Sequence, residues 1–218
     1  MNQQSILGPI AVASMLVLAG AFPAAQRTDT EGIKETQNFV KAGDKTSHAI
    51  GEAKTQLQTT LDAYNALVTQ PSKDMKADYK KLLKSVKEMN DKVAAARQEV
   101  TNMQTVGNTY FAGRTTSIKN IQDAALREQA QKRLSDNQNA YSGVLTAFQQ
   151  AGQTLEPLRK DLADQITYLG SDLTPGGTAS LKPQAEKLNQ KGAEVFAKID
   201  HALETANSYF NSMRPTKP

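Results

Sequence analysis

The stretch LSDNQNAYSGVLTAFQQAGQTLEPLRKDLADQITYL, residues 134–169, decides the fold. Within it Leu134, Tyr141, Phe148, Leu155, Leu162 and Leu169 recur every seven residues without a break. That spacing lays one apolar seam along a long helix that faces partner helices. Upstream, Tyr79, Val86, Val93 and Val100 form one such line, and Leu82, Met89, Ala96, Met103 and Tyr110 a second. Ile50, Leu57 and Tyr64 begin a third segment, and Leu181, Leu188, Val195, Ala202 and Tyr209 a fourth. The predicted fold is all-α: an elongated antiparallel helical bundle of coiled-coil type, with about four long helices.

Punctuation sets the expected limits. Pro71-Ser72 separates a helix over 47–70 from one over 72–122, because proline disfavours helix at the residue before it and fits a new first turn. Ile33, Val40 and Ala42 mark a looser earlier segment and an alternative start for the first helix near Thr30. A turn over 120–123 leads to a helix over 124–172, and Thr174-Pro175-Gly176-Gly177 precedes the last, over 178–213. Pro157 falls inside the third segment, yet the seam continues on both sides, which predicts a kink rather than an end. Short connections make neighbouring helices antiparallel. Residues 47–213 therefore read as one bundle domain, preceded by a polar segment over 22–46 and followed by a tail over 214–218.

Composition agrees with a thin bundle. Of 218 residues, 39% are hydrophobic and 6% aromatic, with no Trp; narrow stripes on long helices need less apolar content than a thick α/β core. The absence of cysteine excludes disulfides, thiolate metal sites, cysteine nucleophiles and lipid attachment through a cysteine. No charged side chain precedes Arg27, and residues 6–22 are apolar apart from Ser14, with Gly8, Pro9 and Gly20 interrupting them. Such a start predicts an export signal over 1–21, ending at Ala19-Gly20-Ala21. Its rival is an uncleaved inner-membrane anchor, although the stretch is at the lower limit for a span. The expected location is periplasmic or secreted, or inner-membrane anchored if the segment is retained.

The second half resembles a bacterial family of domains of unknown function, number 2959. The resemblance rests on Tyr141-Ser-Gly-Val-Leu-Thr-Ala-Phe148, Leu155-Glu156-Pro157-Leu158, Asp164-Gln165-Ile166-Thr167-Tyr168-Leu169 and Thr178-Ala179-Ser180-Leu181. Looser similarity over 48–68 and 108–134 extends it to about 48–213. It implies an exported, all-helical envelope protein without an established activity. Members of such families are often acidic and carry a lipid-attachment cysteine; this chain has a formal charge of +4 and no cysteine.

No motif for catalysis or cofactor binding overlies the seams. His48 and His201 are expected at similar heights on neighbouring helices, but two histidines without a Glu-x-x-His pair fall short of a metal site. There is no Gly-x-Ser-x-Gly element and no phosphate loop, since Gly176-Gly177 lacks a following Gly-Lys-Ser/Thr. Glu156 has no second acid held opposite it, so it reads as a helix-surface carboxylate. Tyr110, Tyr141, Phe148, Tyr168, Phe196, Tyr209 and Phe210 lie mostly at seam spacing, which favours core packing over a hydrophobic cargo site. No small-molecule substrate is evident.

One charge feature rises above background. Lys73, Lys76, Lys80, Lys84 and Lys87 fall on one arc of the second helix beside its seam. Such a strip suits an anionic lipid surface, a polysaccharide or an acidic partner; the alternatives are a solvated face or pairing with Asp161, Asp164 and Asp172 on the third helix. Export and the lack of interleaved aromatics argue against nucleic acid. The sequence thus points to a non-enzymatic, exported helical-bundle scaffold or partner-binding module of the bacterial envelope, with another envelope protein or a second copy as partner. The alternative is a peripheral protein that binds or shapes anionic bilayers through the lysine face.

Overall fold

The computed structural model describes residues 24–214, with side chains from Glu31 onward. Four long helices and one short one account for nearly all of them: α1 (Ala24–Thr69), α2 (Met75–Lys119), α3 (Ala124–Ser171), α4 (Pro175–Ser180) and α5 (Lys182–Ser212). Among the described residues there is no strand and no helix long and apolar enough to cross a membrane. At 1.5 Å per residue the 45 residues of α2 and 48 of α3 each extend about 70 Å. The expected signal over 1–21, Phe22, Pro23 and residues 215–218 of the expected tail lie outside the described residues.

Caps explain where the helices start. Asp74 accepts a hydrogen bond from the Ala77 amide at 2.9 Å and Asp123 from that of Leu126 at 2.9 Å. Thr174 does the same for Gly177 at 3.0 Å, so each carboxylate or hydroxyl satisfies an amide that has no partner within its helix. The expected last helix divides at Leu181, with Pro183 in the first turn of α5. α3 runs unbroken through Pro157. The carbonyl four residues back, on Gln153, is deprived of its helical donor, but Pro157 and Gln153 are both exposed, so water reaches it.

α1 begins at Ala24, ahead of both expected starts, the one near residue 47 and the one near Thr30. Phe39, Val40 and Thr46 are buried and carry the seven-residue line Phe39, Thr46, Ala53, Thr60, Leu67 back through the segment read as polar. The threonines in this line bond to the facing helix. Thr46 Oγ1 donates to the Glu99 carbonyl at 3.0 Å and Thr60 Oγ1 to that of Ser85 at 3.1 Å. Small side chains with hydroxyls that reach across let the two backbones approach, and α1 on α2 is the most extensive seam in the molecule.

The other seams follow in the order α3 on α5, α1 on α5, then α2 on α3, which closes the ring most sparsely. Leu57, Leu82, Leu158, Leu162, Leu169 and Leu188 are almost wholly buried; each such side chain contributes about 1.5–3 kcal/mol of transfer free energy. Toward the α5 C-terminus an aromatic layer replaces the aliphatics. Phe39 sits at its centre, with ring centroids of Tyr110, Tyr141 and Phe210 at 5.0, 5.0 and 5.2 Å. Its tyrosines keep polar partners: Tyr209 Oη donates to Asn137 Oδ1 at 2.7 Å and Tyr141 Oη to the Met103 carbonyl at 3.3 Å. Tyr168, read with the core aromatics, instead lies exposed and meets Ser180 through its hydroxyl at 3.0 Å.

Candidate functional site

The five lysines occupy the loop before α2 and its first four turns, all exposed. None forms an ion pair with α3 among the described residues. Asp161, one of their expected partners, pairs with Lys191 of α5 instead. Lys84 meets Glu88 at 3.7 Å and Lys87 meets Asp91 at 2.7 Å, both along α2 itself. The hydrogen bond and charge of Asp91 raise the pKa of the Lys87 ammonium. Lys73, Lys76 and Lys80 have no carboxylate within ion-pair distance among the described residues. Leu83, 42% exposed, lies between Lys80 and Lys87 along the helix, an apolar group at the edge of the cationic strip.

The histidines do not converge. Lys54 pairs with Asp200, which places His201 beside Lys54, six residues or about 9 Å along α1 from His48. His48 lies 3.8 Å from Glu52 on its own helix, and His201 is exposed. No group of three potential metal ligands occurs among the described residues.

A second feature lies where the ring closes most sparsely. Between α2 and α3, at mid-bundle, a slot of about 630 Å³ passes between the helices and reaches Ile50 and Ile199 on the far pair. Its origin is a coincidence of small residues. Ala96 takes the place held by Met89 and Met103 on the α2 seam, and Ala151 that of Val144 and Leu158 on α3. Ala53 takes the matching place on α1. The register that brings Tyr141 to Met103 and Glu156 to Arg97 sets Ala96 opposite Ala151, so the omissions fall in one layer. A volume in the range of about 300–1,000 Å³ with mainly apolar walls is that of a ligand pocket.

Polar groups gather at one edge of the slot. Arg97, which lines it, forms an ion pair with Glu156, and Arg159 Nη1 holds the same carboxylate at 3.2 Å. Arg159 Nη2 donates to Asn90 Oδ1 at 2.8 Å, while its Nε is buried without a hydrogen-bond partner. A smaller recess of about 280 Å³, lined by Asn90, Arg97, Gln98 and Arg159 among others, shares Val93, Arg97 and Thr101 with the slot and adjoins it. Glu156 is thus a surface carboxylate as the sequence suggested, held between two guanidiniums the sequence did not bring to it. The slot itself had no sequence signal, because an alanine on a seam is ordinary until the register of the facing helices is known.

A family model described as "Protein of unknown function (DUF2959)" matches residues 26–213, and the chain belongs to that family. No curated protein and no solved structure matches it.

Proposed function

We propose from the geometry that this protein is a non-enzymatic, exported scaffold or partner-binding module of the bacterial envelope. The observation that carries the reading is the pair of unbroken helices, 45 and 48 residues long, stacked side by side into a rod about 70 Å long. Most of the chain goes into length, and length presents separated contact surfaces to partners at a fixed spacing. Export rests on the uncharged apolar start over residues 6–22. Fractionation with N-terminal sequencing tests the location. Mature protein starting within a few residues of Phe22 in the envelope supports the reading, and intact Met1 on soluble cytoplasmic protein overturns it. Site-specific photocrosslinking along α2 and α3 in intact cells tests the role: a scaffold yields discrete adducts at particular heights on the rod.

A second reading, a peripheral protein of anionic bilayers, is favoured by the exposed strip of Lys76, Lys80, Lys84 and Lys87 with Leu83 among them. Cations that meet phosphate headgroups beside a leucine that enters the acyl boundary form the pattern of an interfacial helix face. Pairing of Lys84 and Lys87 within α2 reduces the charge free to act, which ranks this reading below the scaffold.

A further inference from the structure

We propose that the slot between α2 and α3 binds one linear acyl chain whose anionic head sits in the adjoining arginine recess. Along α2 the slot runs from Val93 to Gln104 and along α3 from Ser142 to Leu155, lengths of about 16 and 20 Å. It extends along the helix axes, with Ala96, Ala151, Phe148 and Ile199 among its walls. An extended chain on the order of 12 to 16 carbons matches that length.

The electrostatic argument is independent of shape. Arg97 and Arg159 share the single carboxylate of Glu156, so the recess keeps one uncompensated positive charge among these three groups. Guanidinium donors not turned to Glu156 remain on Arg97, and the buried Arg159 Nε has none of its hydrogen-bonding capacity used. A carboxylate or phosphate fits such a group bidentately. The other lip residues, Thr101, Gln104, Ser142, Thr146 and Gln149, are neutral. Apolar length with a cationic patch at one edge is the complement of an anionic single-chain amphiphile. The inference does not depend on the scaffold reading, since it concerns the bundle interior and not its location.

The test is titration of the purified full chain with saturated fatty acids of 8 to 18 carbons, each below its micelle concentration, by calorimetry. Affinity is expected to rise about fourfold per added methylene and to level off once the chain reaches about 16 carbons. Gly152→Leu is the plugging variant. Gly152 lines the slot, and a Cβ built on it meets nothing within 4 Å, so the added side chain enters open space without disturbing the helix. It should reduce palmitate affinity at least tenfold with an unchanged helical spectrum. Ala96→Phe, from the opposite wall, should do the same. Arg97→Gln with Arg159→Gln should weaken palmitate but leave its uncharged glyceryl ester unaffected. Stronger uptake of lysophosphatidylglycerol than of palmitate upholds the proposal and identifies a lipid as the source of the chain. Absence of saturable binding, affinity independent of chain length, equal affinity for palmitate and its glyceryl ester, or a slot closed by self-association in sedimentation would each overturn it.

Discussion

The hydroxyls of Thr60 and Ser85 lie 2.9 Å apart in the buried interface of α1 and α2, and Gln56 Nε2 reaches the same serine oxygen at 3.1 Å. Thr60 also bonds the Gln56 and Ser85 carbonyls, at 2.8 and 3.1 Å. These are the polar contacts that let the tightest seam exclude water. Thr60→Val keeps the shape and removes the hydroxyl that meets Ser85, while Gln56 Nε2 still reaches the Ser85 carbonyl at 3.3 Å. The expected loss is about 0.5–1.5 kcal/mol in urea unfolding. The Thr60→Val, Ser85→Ala double variant should cost less than the sum of the single changes, because the partners share one network.

Two glycines should respond oppositely to alanine. At Gly43 an added Cβ would fall 2.3 Å from the Phe210 ring, so Gly43→Ala overpacks the aromatic layer and should destabilise by about 1–3 kcal/mol. At Gly143, on the exposed face of α3, nothing lies within 4 Å. There alanine should stabilise by up to about 1 kcal/mol through helix propensity alone. Thermal melts of the two variants beside the parent settle the signs.

Burial pushes the Tyr64 and Tyr141 hydroxyls up to about 12 and raises that of Tyr209 further above its usual range. For Tyr209 the neighbouring Tyr110 and Tyr141 add to the desolvation. A phenol with a folded pKa above its unfolded value of about 10 contributes stability that is intact below pH 10. That stability is lost as pH rises from about 10 through 12. Absorbance titration should show ionisation of Tyr64 and Tyr141 lagging behind the unfolded chain, with unfolding midpoints in urea falling over that window. Tyr64→Phe should reduce the fall, and an unfolding midpoint flat from pH 9 to 12 would contradict the burial argument.

The lysine face distinguishes the two functional readings. If it works on membranes, each lysine near an anionic surface contributes about 1 kcal/mol, so changing Lys76, Lys80 and Lys84 to Gln should weaken vesicle binding by about 3 kcal/mol. Salt at about 1 M, which shortens the screening length to about 3 Å, should weaken it as well. Under the scaffold reading the parent protein binds anionic vesicles little, and the triple change alters stability by no more than about 1 kcal/mol for the one pair it removes, Lys84 with Glu88. The second outcome is expected; salt-sensitive vesicle binding lost in the triple variant would reverse the order.

The α3 seam was legible because a large residue recurs at nearly every seventh position and Tyr141 through Leu169 are all buried. Leu134, its first member, is only half-buried, because the Asn137–Tyr209 register places it beside the last residues of α5, at the end of the ring. The start of α1 was obscured because its core line passes through Thr46, whose hydroxyl is satisfied by a carbonyl of another helix. Periodicity counts such residues as polar. The break between α1 and α2 followed from Pro71, but Pro175 and the Gly pair, read as loop, open the short helix α4, where Thr174 caps the Gly177 amide. The capping roles of Asp74 and Asp123 needed the backbone in place. The slot required knowledge of register between helices, which no single helix encodes.

The uneven closure of the ring divides the molecule into halves that do not follow chain order equally. Residues 24–119 form a hairpin zipped along its whole length, and α3 with α5 forms another, across the α4 turn. The two are held chiefly by α1 on α5, a seam between elements distant in the chain, while the connected pair α2 and α3 adds less. Cleavage in the exposed connection around Gln122 would therefore sever a link that contributes little adhesion. The fragments should remain associated through the α1–α5 seam, and new termini placed there should be accepted by a circularly permuted chain.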